Sequence, residues 1–466
     1  MKKALILLLS LTALSPLSGK PKNIVFFLAD DLGWRDLGCF GSSFYETPHL
    51  DGLADSGMKF TAAYAACQVC SPTRASILTG KYPQRVGVTD YIGAAGPDRW
   101  KRNTKLLPAP YTRQLDHEHD TLAEVLKGAG YATFFGGKWH LGSEDFWPEH
   151  QGFDVNMGGI DRGGPYGGKK YFSPYGNPRL PDGPDGEHLP DRLASEACKF
   201  LETNKDKPVL IYLSFYSVHT PLISREDLKK KYAAKKTKLG LEAKWGEEGT
   251  RKVRLVQEHA VYAGMVEAMD LAVGKVLAKL DELGIAEDTA VVFTSDNGGL
   301  STSEGHPTSN LPLRGGKGWM YEGGIREPTI VRIPGVTEPG SNCDQYIIST
   351  DYFPTLLEFA GVKHPGKVDG KSFMPALRGE AMDRGPIFWH YPHYGNQGGA
   401  PSAAIRDGSL KLVELYETGE LQLFDLGADI AEKDDLAKKK PAQVAALKEK
   451  LDAWREDVGA KMPTKR

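Results

Sequence analysis

Asn23-Ile24-Val25-Phe26-Phe27-Leu28-Ala29 is an unbroken, β-rich apolar run that stops at Asp30-Asp31. A strand covered on both faces reads as such a run, whereas a half-buried strand alternates. The stretch is therefore expected to be a central parallel strand whose carboxyl end hands two carboxylates to a site. The pattern recurs at Pro208 to Phe215, ahead of His219, and at Thr289 to Thr294, ahead of Asp296-Asn297. Segments of helical spacing lie between: Thr121 to Ala129, Asp191 to Leu201, and a long one from about Val253 to Leu283. Strands alternating with helices predict an α/β fold with a large, mostly parallel sheet flanked by helices, which binds ligands at the carboxyl ends of its strands.

Beyond about residue 375 the texture changes to short strand-like runs, Ala403 to Arg406, Leu410 to Val413 and Leu421 to Phe424, split by turns such as Asp407-Gly408. A last helix then presents Val444, Leu447, Leu451 and Trp454 on one face. The expectation is a smaller C-terminal antiparallel sheet plus helix, as an α+β subdomain over residues 376–466.

The whole chain has 466 residues, 40% hydrophobic and 25% charged, which is ordinary globular composition. Its 58 basic and 60 acidic residues leave a formal charge of -2, so no global field attracts nucleic acid, and any anion must be held by a local site. The lysines of Lys229 to Lys238 form either a polyanion patch or, more simply, a solvated helix face. Met1-Lys2-Lys3, the apolar run Ala4 to Leu9 and small residues up to Gly19 have the grammar of a signal peptide over residues 1–19. The competing reading, a membrane anchor, meets an apolar run well short of the ~20 residues a span needs. Export to a bacterial periplasm or the medium is expected, with no stable membrane anchor; no Asn-x-Ser/Thr sequon is present. The cysteines Cys39, Cys67, Cys70, Cys198 and Cys343 are too few for a disulfide scaffold, and their odd number leaves at least one outside any intramolecular pair.

Cys70-Ser71-Pro72-Thr73-Arg74 precedes the apolar stretch Ala75 to Leu78. Ser-Pro there reads as a loop entering a helix with Pro72 near its first position, so an anion-friendly helix start lies beside Cys70, with Arg74 one turn in. By spacing alone, Cys67-x-x-Cys70 also fits half a zinc site or a redox pair, although no second Cys pair accompanies it. Gly130 to Gly142 contains Lys138-Trp139-His140, where Tyr131 and Trp139 read as structural aromatics. On an extended segment Lys138 and His140 project to one side, where a cation and a titratable base face a common anion.

These two segments resemble the signatures of the type I, formylglycine-dependent sulfatase family, arylsulfatase-like members of the alkaline phosphatase-like superfamily. Cys70, Pro72 and Arg74 match Cys-x-Pro-x-Arg, in which the family's cysteine becomes formylglycine; Thr73 replaces the usual serine. The resemblance continues through Asp30-Asp31, Val218-His219-Thr220-Pro221, Ser295-Asp296-Asn297-Gly298, Gly315-Gly316-Lys317-Gly318 and Glu322 to Arg326. It implies a catalytic sulfatase domain over residues 20–375 that hydrolyses sulfate esters, and a formylglycine-generating maturation enzyme as a partner. It further implies that the hydrated formylglycine at position 70 attacks sulfur while Arg74 and Lys138 hold it. Lys317 and His219 would contact the sulfate, with His219 protonating the leaving oxygen and His140 taking the proton that releases sulfate. One calcium ion is implied at Asp30, Asp31, Asp296, Asn297 and the modified Cys70, and these hard oxygen donors suit calcium or magnesium better than a soft metal. Taken singly, Asp30-Asp31 and Asp296-Asn297-Gly298 also read as turns after strands, a role compatible with ligation.

The substrate is expected to be a sulfated polysaccharide or glycosaminoglycan sugar. Candidate contacts are Arg99, Arg314 and the loop residues His390, His393 and Asn396, for which ordinary loop packing is the competing reading. Two other functions compete: phosphomonoester or phosphonate hydrolysis, which in the superfamily's phosphatases uses Ser or Thr and two zinc ions, and silent binding of sulfated glycans.

Overall fold

The computed structural model describes residues 22–364 and 366–466; the signal peptide expected at residues 1–19 lies outside them. The large sheet is built from β1 (Asn23–Ala29), β2 (Met58–Tyr64), β3 (Ala132–Gly137), β4 (Val155–Met157), β5 (Val209–Ser214), β6 (Thr289–Ser295), β7 (Arg326–Arg332), β8 (Ser341–Cys343) and β9 (Ile347–Ile348). Its order is β8-β2-β7-β6-β1-β5-β3-β4, with β9 also on β2. Only β7 runs against its neighbours. The three apolar runs read from the sequence are β1, β5 and β6, and they lie side by side in the middle.

Both faces of β1 are buried, as its unbroken apolar run requires. Val25, Phe27 and Ala29 pack under α1 (Pro48–Asp55), α4 (Leu189–Asn204) and α6 (Ala260–Glu282). Ile24, Phe26 and Leu28 face α2 (Cys70–Thr79), α3 (Leu122–Gly128) and α7 (Tyr352–Ala360). Local chemistry sets the helix ends. Thr121 and Glu124 form a reciprocal capping box at α3. The buried Asp270 of α6 receives the N–H groups of His49 and Leu50 at the start of α1, at 3.2 and 2.8 Å.

The long helical segment expected from about Val253 begins instead at Ala260, where His259 caps it by accepting the Tyr262 N–H at 3.2 Å. Upstream, Arg251–Arg254 pairs with Trp245–Glu248 as a hairpin, so the apolar spacing there belongs to a strand and a loop. The lysine-rich segment is α5 (Glu226–Lys238), which buries only Leu228 and Tyr232. Lys231, Lys235 and Lys236 pair with Glu46, Glu258 and Glu267, which fits a solvated helix face.

The second sheet, β10 (Ile387–Tyr391), β11 (Ser402–Asp407), β12 (Leu410–Leu415) and β13 (Glu420–Asp425), is antiparallel throughout. On it lies α8 (Pro441–Asp457), which buries Leu447, Leu451 and Trp454, the last stacked on Phe388 at 4.9 Å. One apolar cluster joins this unit to Tyr64, Cys67, Val69 and Ile348 at the end of the large sheet. The Trp389 indole donates across that seam to the Ala65 carbonyl at 2.8 Å. Lys411 of β12 is wholly buried between Glu322 and Glu432. All five cysteines are free, and no described helix is long and apolar enough to cross a membrane.

Candidate active site

Register places the site. Ala29 pairs with Ser295, Leu28 with Ser214, and Ser214 with Gly137, so β6, β1, β5 and β3 end in one row. The next residues are Asp296 from β6, Asp30 and Asp31 from β1, and Lys138 from β3. His219 follows β5 by a short loop. Lys317 comes from the segment between β6 and β7.

The helix entered at the Cys-Ser-Pro sequence starts at Cys70 itself, two residues earlier than the placing of Pro72 at its first position predicts. Every residue of α2 is buried, so it is built mainly from small and apolar side chains, and its one charged residue, Arg74, is matched by buried carboxylates. Cys70 Sγ lies 3.4 Å from His140 Nδ1. The His140 Nε2–H donates to the Ile92 carbonyl at 2.8 Å, which leaves Nδ1 as the lone-pair nitrogen facing Cys70. Burial, reinforced by Lys138, drives His140 well below its ordinary pKa, so the ring is neutral. His140 reaches this position from a left-handed backbone (φ 59°), not from the extended segment expected, although Lys138 and His140 do converge. Burial also pushes the Cys70 thiol up, against the pull of Lys138 and Lys317, so an unmodified thiol there is a poor nucleophile.

The charges interlock. Arg74 holds Asp296 Oδ2 through Nε at 2.8 Å and Nη2 at 2.7 Å, and reaches Asp30 Oδ1 at 3.4 Å. Its Nη1 donates to Ser214 Oγ at 2.6 Å and the Lys138 carbonyl at 2.9 Å. Lys138 Nζ straddles both Asp30 oxygens at 2.8 and 2.7 Å. Lys317 Nζ does the same to Asp31, at 2.8 and 2.7 Å. Burial alone would raise Asp31, but Lys317 and His219 outweigh it and hold the carboxyl well below its usual range. Asp30 is instead pushed up by burial, with Asp296 and Asp31 adding to the effect against Lys138.

Oxygens of Asp30, Asp31 and Asp296 lie within 4.8 Å of one another. Beside them Asn297 donates its Nδ2–H to Asp31 Oδ1 at 2.8 Å, while its buried Oδ1 has no hydrogen-bond partner. An orphaned amide oxygen next to clustered carboxylates fits a hard divalent cation, because such a group needs a positive partner and the set is all oxygen. His219 donates Nδ1–H to the Thr220 carbonyl at 2.7 Å, which turns Nε2 toward Asp31 at 3.7 Å. Burial first, then Lys317, lowers His219 to about 3.

A cavity of about 340 Å³ opens over these groups, lined by Cys70, His140, His219 and Lys317. A larger depression of about 580 Å³ lies at the amino end of β3, away from the cluster. Among the candidate substrate contacts, Asn396 lines the smaller cavity. The other four are not among its lining residues. Arg99 is exposed beside Asp98, and Arg314 is committed to Glu248 while lying 3.7 Å over the Tyr321 ring. His390 is held by Tyr416 and the Lys461 carbonyl, and His393 is buried on Thr89 at 2.9 Å. Ordinary packing is thus the structural role of those histidines. Sequence reasoning missed Tyr91, Tyr166, Glu304 and Gln397, which also line the cavity. They come from loops without a periodic pattern; the nearest available signal was the polar turn Ser301 to Gly305 after Asp296-Asn297.

The family model described as Sulfatase matches residues 22–362, and that of the N-sulphoglucosamine sulphohydrolase C-terminal region matches residues 316–457. A sulfatase of Formosa agariphila is 33% identical, over 93% of this chain and 88% of that one. The steryl-sulfatase of Mus musculus is 33% identical, over 80% of this chain and 68% of its own length. The N-acetylgalactosamine-6-sulfatase of Mus musculus is 34% identical, over 82% and 72%. Among solved structures, Ps i-CgsB superposes with a TM-score of 0.77 at 28% identity, covering 93% of each chain, and is also solved with k-i-k-neocarrahexaose.

Proposed function

The chain belongs to the sulfatase family and is a sulfuric ester hydrolase; on that premise we propose that it is exported and removes sulfate from a sulfated carbohydrate, using formylglycine at position 70 and one calcium ion. The observation that carries this reading is the position of Cys70: first residue of a buried helix, 3.4 Å from a lone-pair nitrogen of His140, beside three cations and three clustered carboxylates. Asp30, Asp31, Asp296 and Asn297 would hold the calcium, with residue 70 completing the set, and the ion would supply positive charge against sulfate oxygens. The modification would supply a hydrated aldehyde with two hydroxyls, one to attack and one to drive release of sulfate.

The chain's own residues do the rest. Lys317 lines the cavity and offers its charge to the incoming anion. Arg74 and Lys138 fix the carboxylates and add charge beside residue 70. His140 Nδ1 accepts a proton from the group at position 70, a role its neutral state permits. His219 Nε2 faces the cavity and protonates the leaving oxygen; an anionic ester beside it favours the imidazolium that burial disfavours in the free site. The carbohydrate preference draws on Asn396 and the polar groups of the cavity wall, on the N-acetylgalactosamine-6-sulfatase among the relatives, and on the similar structure solved with k-i-k-neocarrahexaose.

The test is to coexpress the chain with a formylglycine-generating enzyme, verify conversion of Cys70 by peptide mass spectrometry, and assay sulfate release from aryl sulfates and sulfated oligosaccharides. Release should vanish in Cys70→Ala and on calcium chelation. Activity persisting in Cys70→Ala, or confined to phosphate or phosphonate esters, would reject the mechanism.

A further inference from the structure

We infer that Glu304 is a specificity-determining residue that selects sugars carrying a free hydroxyl or amino group next to the sulfated carbon and rejects those carrying a second anionic group there. This rests on the sulfatase reading above.

Among the described residues, Glu304 is the one carboxylate on the cavity wall that also holds Cys70, His140, His219 and Lys317. One of its oxygens, one of Asp31 and a ring nitrogen of His219 lie within 4.8 Å of one another. Because His219 Nε2 serves the leaving oxygen, a group beside it meets the sugar one or two bonds from the scissile ester rather than the sulfate.

The carboxylate is held in place. The buried Gln397 donates Nε2–H to Oε1 at 2.7 Å and Asn396 adds a 3.3 Å bond to the same oxygen, while neither takes Oε2. The Gln397 carbonyl in turn receives the Trp319 indole N–H at 3.2 Å. The backbone of Glu304 is left-handed (φ 50°), so the turn presents this side chain at a conformational cost.

A carboxylate in a cavity that must admit a sulfate repels its own substrate, and Lys317 offsets only part of that. Its presence makes physical sense if it gains a charge-assisted hydrogen bond from the sugar. A carboxylate accepts and cannot donate, so it fits a hydroxyl or ammonium and opposes a vicinal sulfate or uronate.

The experiment compares matured wild type and Glu304→Gln by kcat/KM on nitrophenyl sulfate, on galactose monosulfates with free neighbouring hydroxyls, and on the matching vicinal disulfates. Wild type should favour the monosulfate over the vicinal disulfate by roughly 10- to 100-fold, the range of one charge-assisted hydrogen bond. In Glu304→Gln the monosulfate should lose at least roughly tenfold more than nitrophenyl sulfate does, and the preference against the disulfate should narrow by a similar factor. Equal losses on aryl and sugar esters would make Glu304 a positioning residue for His219 or Lys317 and overturn the inference, as would an unchanged preference. If Glu304→Gln melts well below wild type, Gln397→Ala is read instead, with the same direction expected and an unchanged preference again decisive against. A wild type that releases sulfate from no ester signals failure of the sulfatase reading itself and removes this inference with it.

Discussion

His140 and His219 fix their tautomers through backbone carbonyls, Ile92 and Thr220, so neither needs a carboxylate partner to orient it. The free nitrogen of each is then aimed by the loop that carries it. His140→Ala should therefore lower kcat on matured enzyme by roughly 10²–10⁴-fold, the usual worth of a positioned base, with little change in melting temperature; pre-steady-state kinetics would show the release step affected. Arg74 acts differently, because it compensates buried Asp296 and Asp30. Arg74→Gln should destabilise the fold by ~3–5 kcal/mol, as removal of one partner from a buried pair does. Added calcium should shrink that deficit in thermal melts, since a cation on the same carboxylates takes over the compensation. A calcium-independent deficit would count against those carboxylates as the metal set. These residues were legible from the sequence because each follows an apolar run or sits in a signature; Glu304 and Gln397 were not, because only tertiary folding brings their loops to Cys70.

At the scale of elements, β1, β5 and β6 announced themselves because a strand buried on both faces has no solvent side to alternate with. Arg251–Arg254 did not, since it forms a separate two-stranded hairpin whose register is written in pairing with Trp245–Glu248 rather than in hydrophobicity. The contact between α1 and α6 carries a pH signature. Burial raises Asp270 from 3.8 to about 7 even though it receives the two N–H groups of α1. Because the folded state binds that proton more tightly than the unfolded chain, this carboxyl's contribution is fully present below its ordinary pKa and is lost as pH rises through about 7. In Asp270→Asn, the slope of unfolding free energy against pH between those two values should be less negative than in wild type. Chemical denaturation across that window measures it, and parallel slopes would contradict the assignment.

For the whole molecule, the smaller sheet behaves as a cap on the edge of the larger one rather than as an appendage. Trp389 is bonded to Ala65, Lys411 to Glu322 and Glu432, and a shared apolar cluster fills the seam. A chain ended at residue 375 would expose that cluster and leave Glu322 buried without Lys411. It should aggregate or lose protease resistance throughout residues 20–375, a result checked by size-exclusion chromatography and limited proteolysis. A monomeric, protease-resistant fragment would mean that the large unit stands alone. Sequence texture indicated the second, antiparallel sheet, but not how much of the seam is charge.

The even row of strand ends also works as a gauge. Asp30 and Asp31 follow β1 and Asp296 follows the adjacent β6, with Lys138 two strands away after β3; the separation of adjacent strands, about 4.8 Å, is set by backbone hydrogen bonds and is the same in every sheet. The span between the carboxylates is thus quantised by the sheet, and only side-chain length can trim it. To retune the proposed calcium site for a smaller or larger ion, an engineer would have to lengthen or shorten the carboxylate side chains one methylene at a time, because sliding a strand moves the whole row.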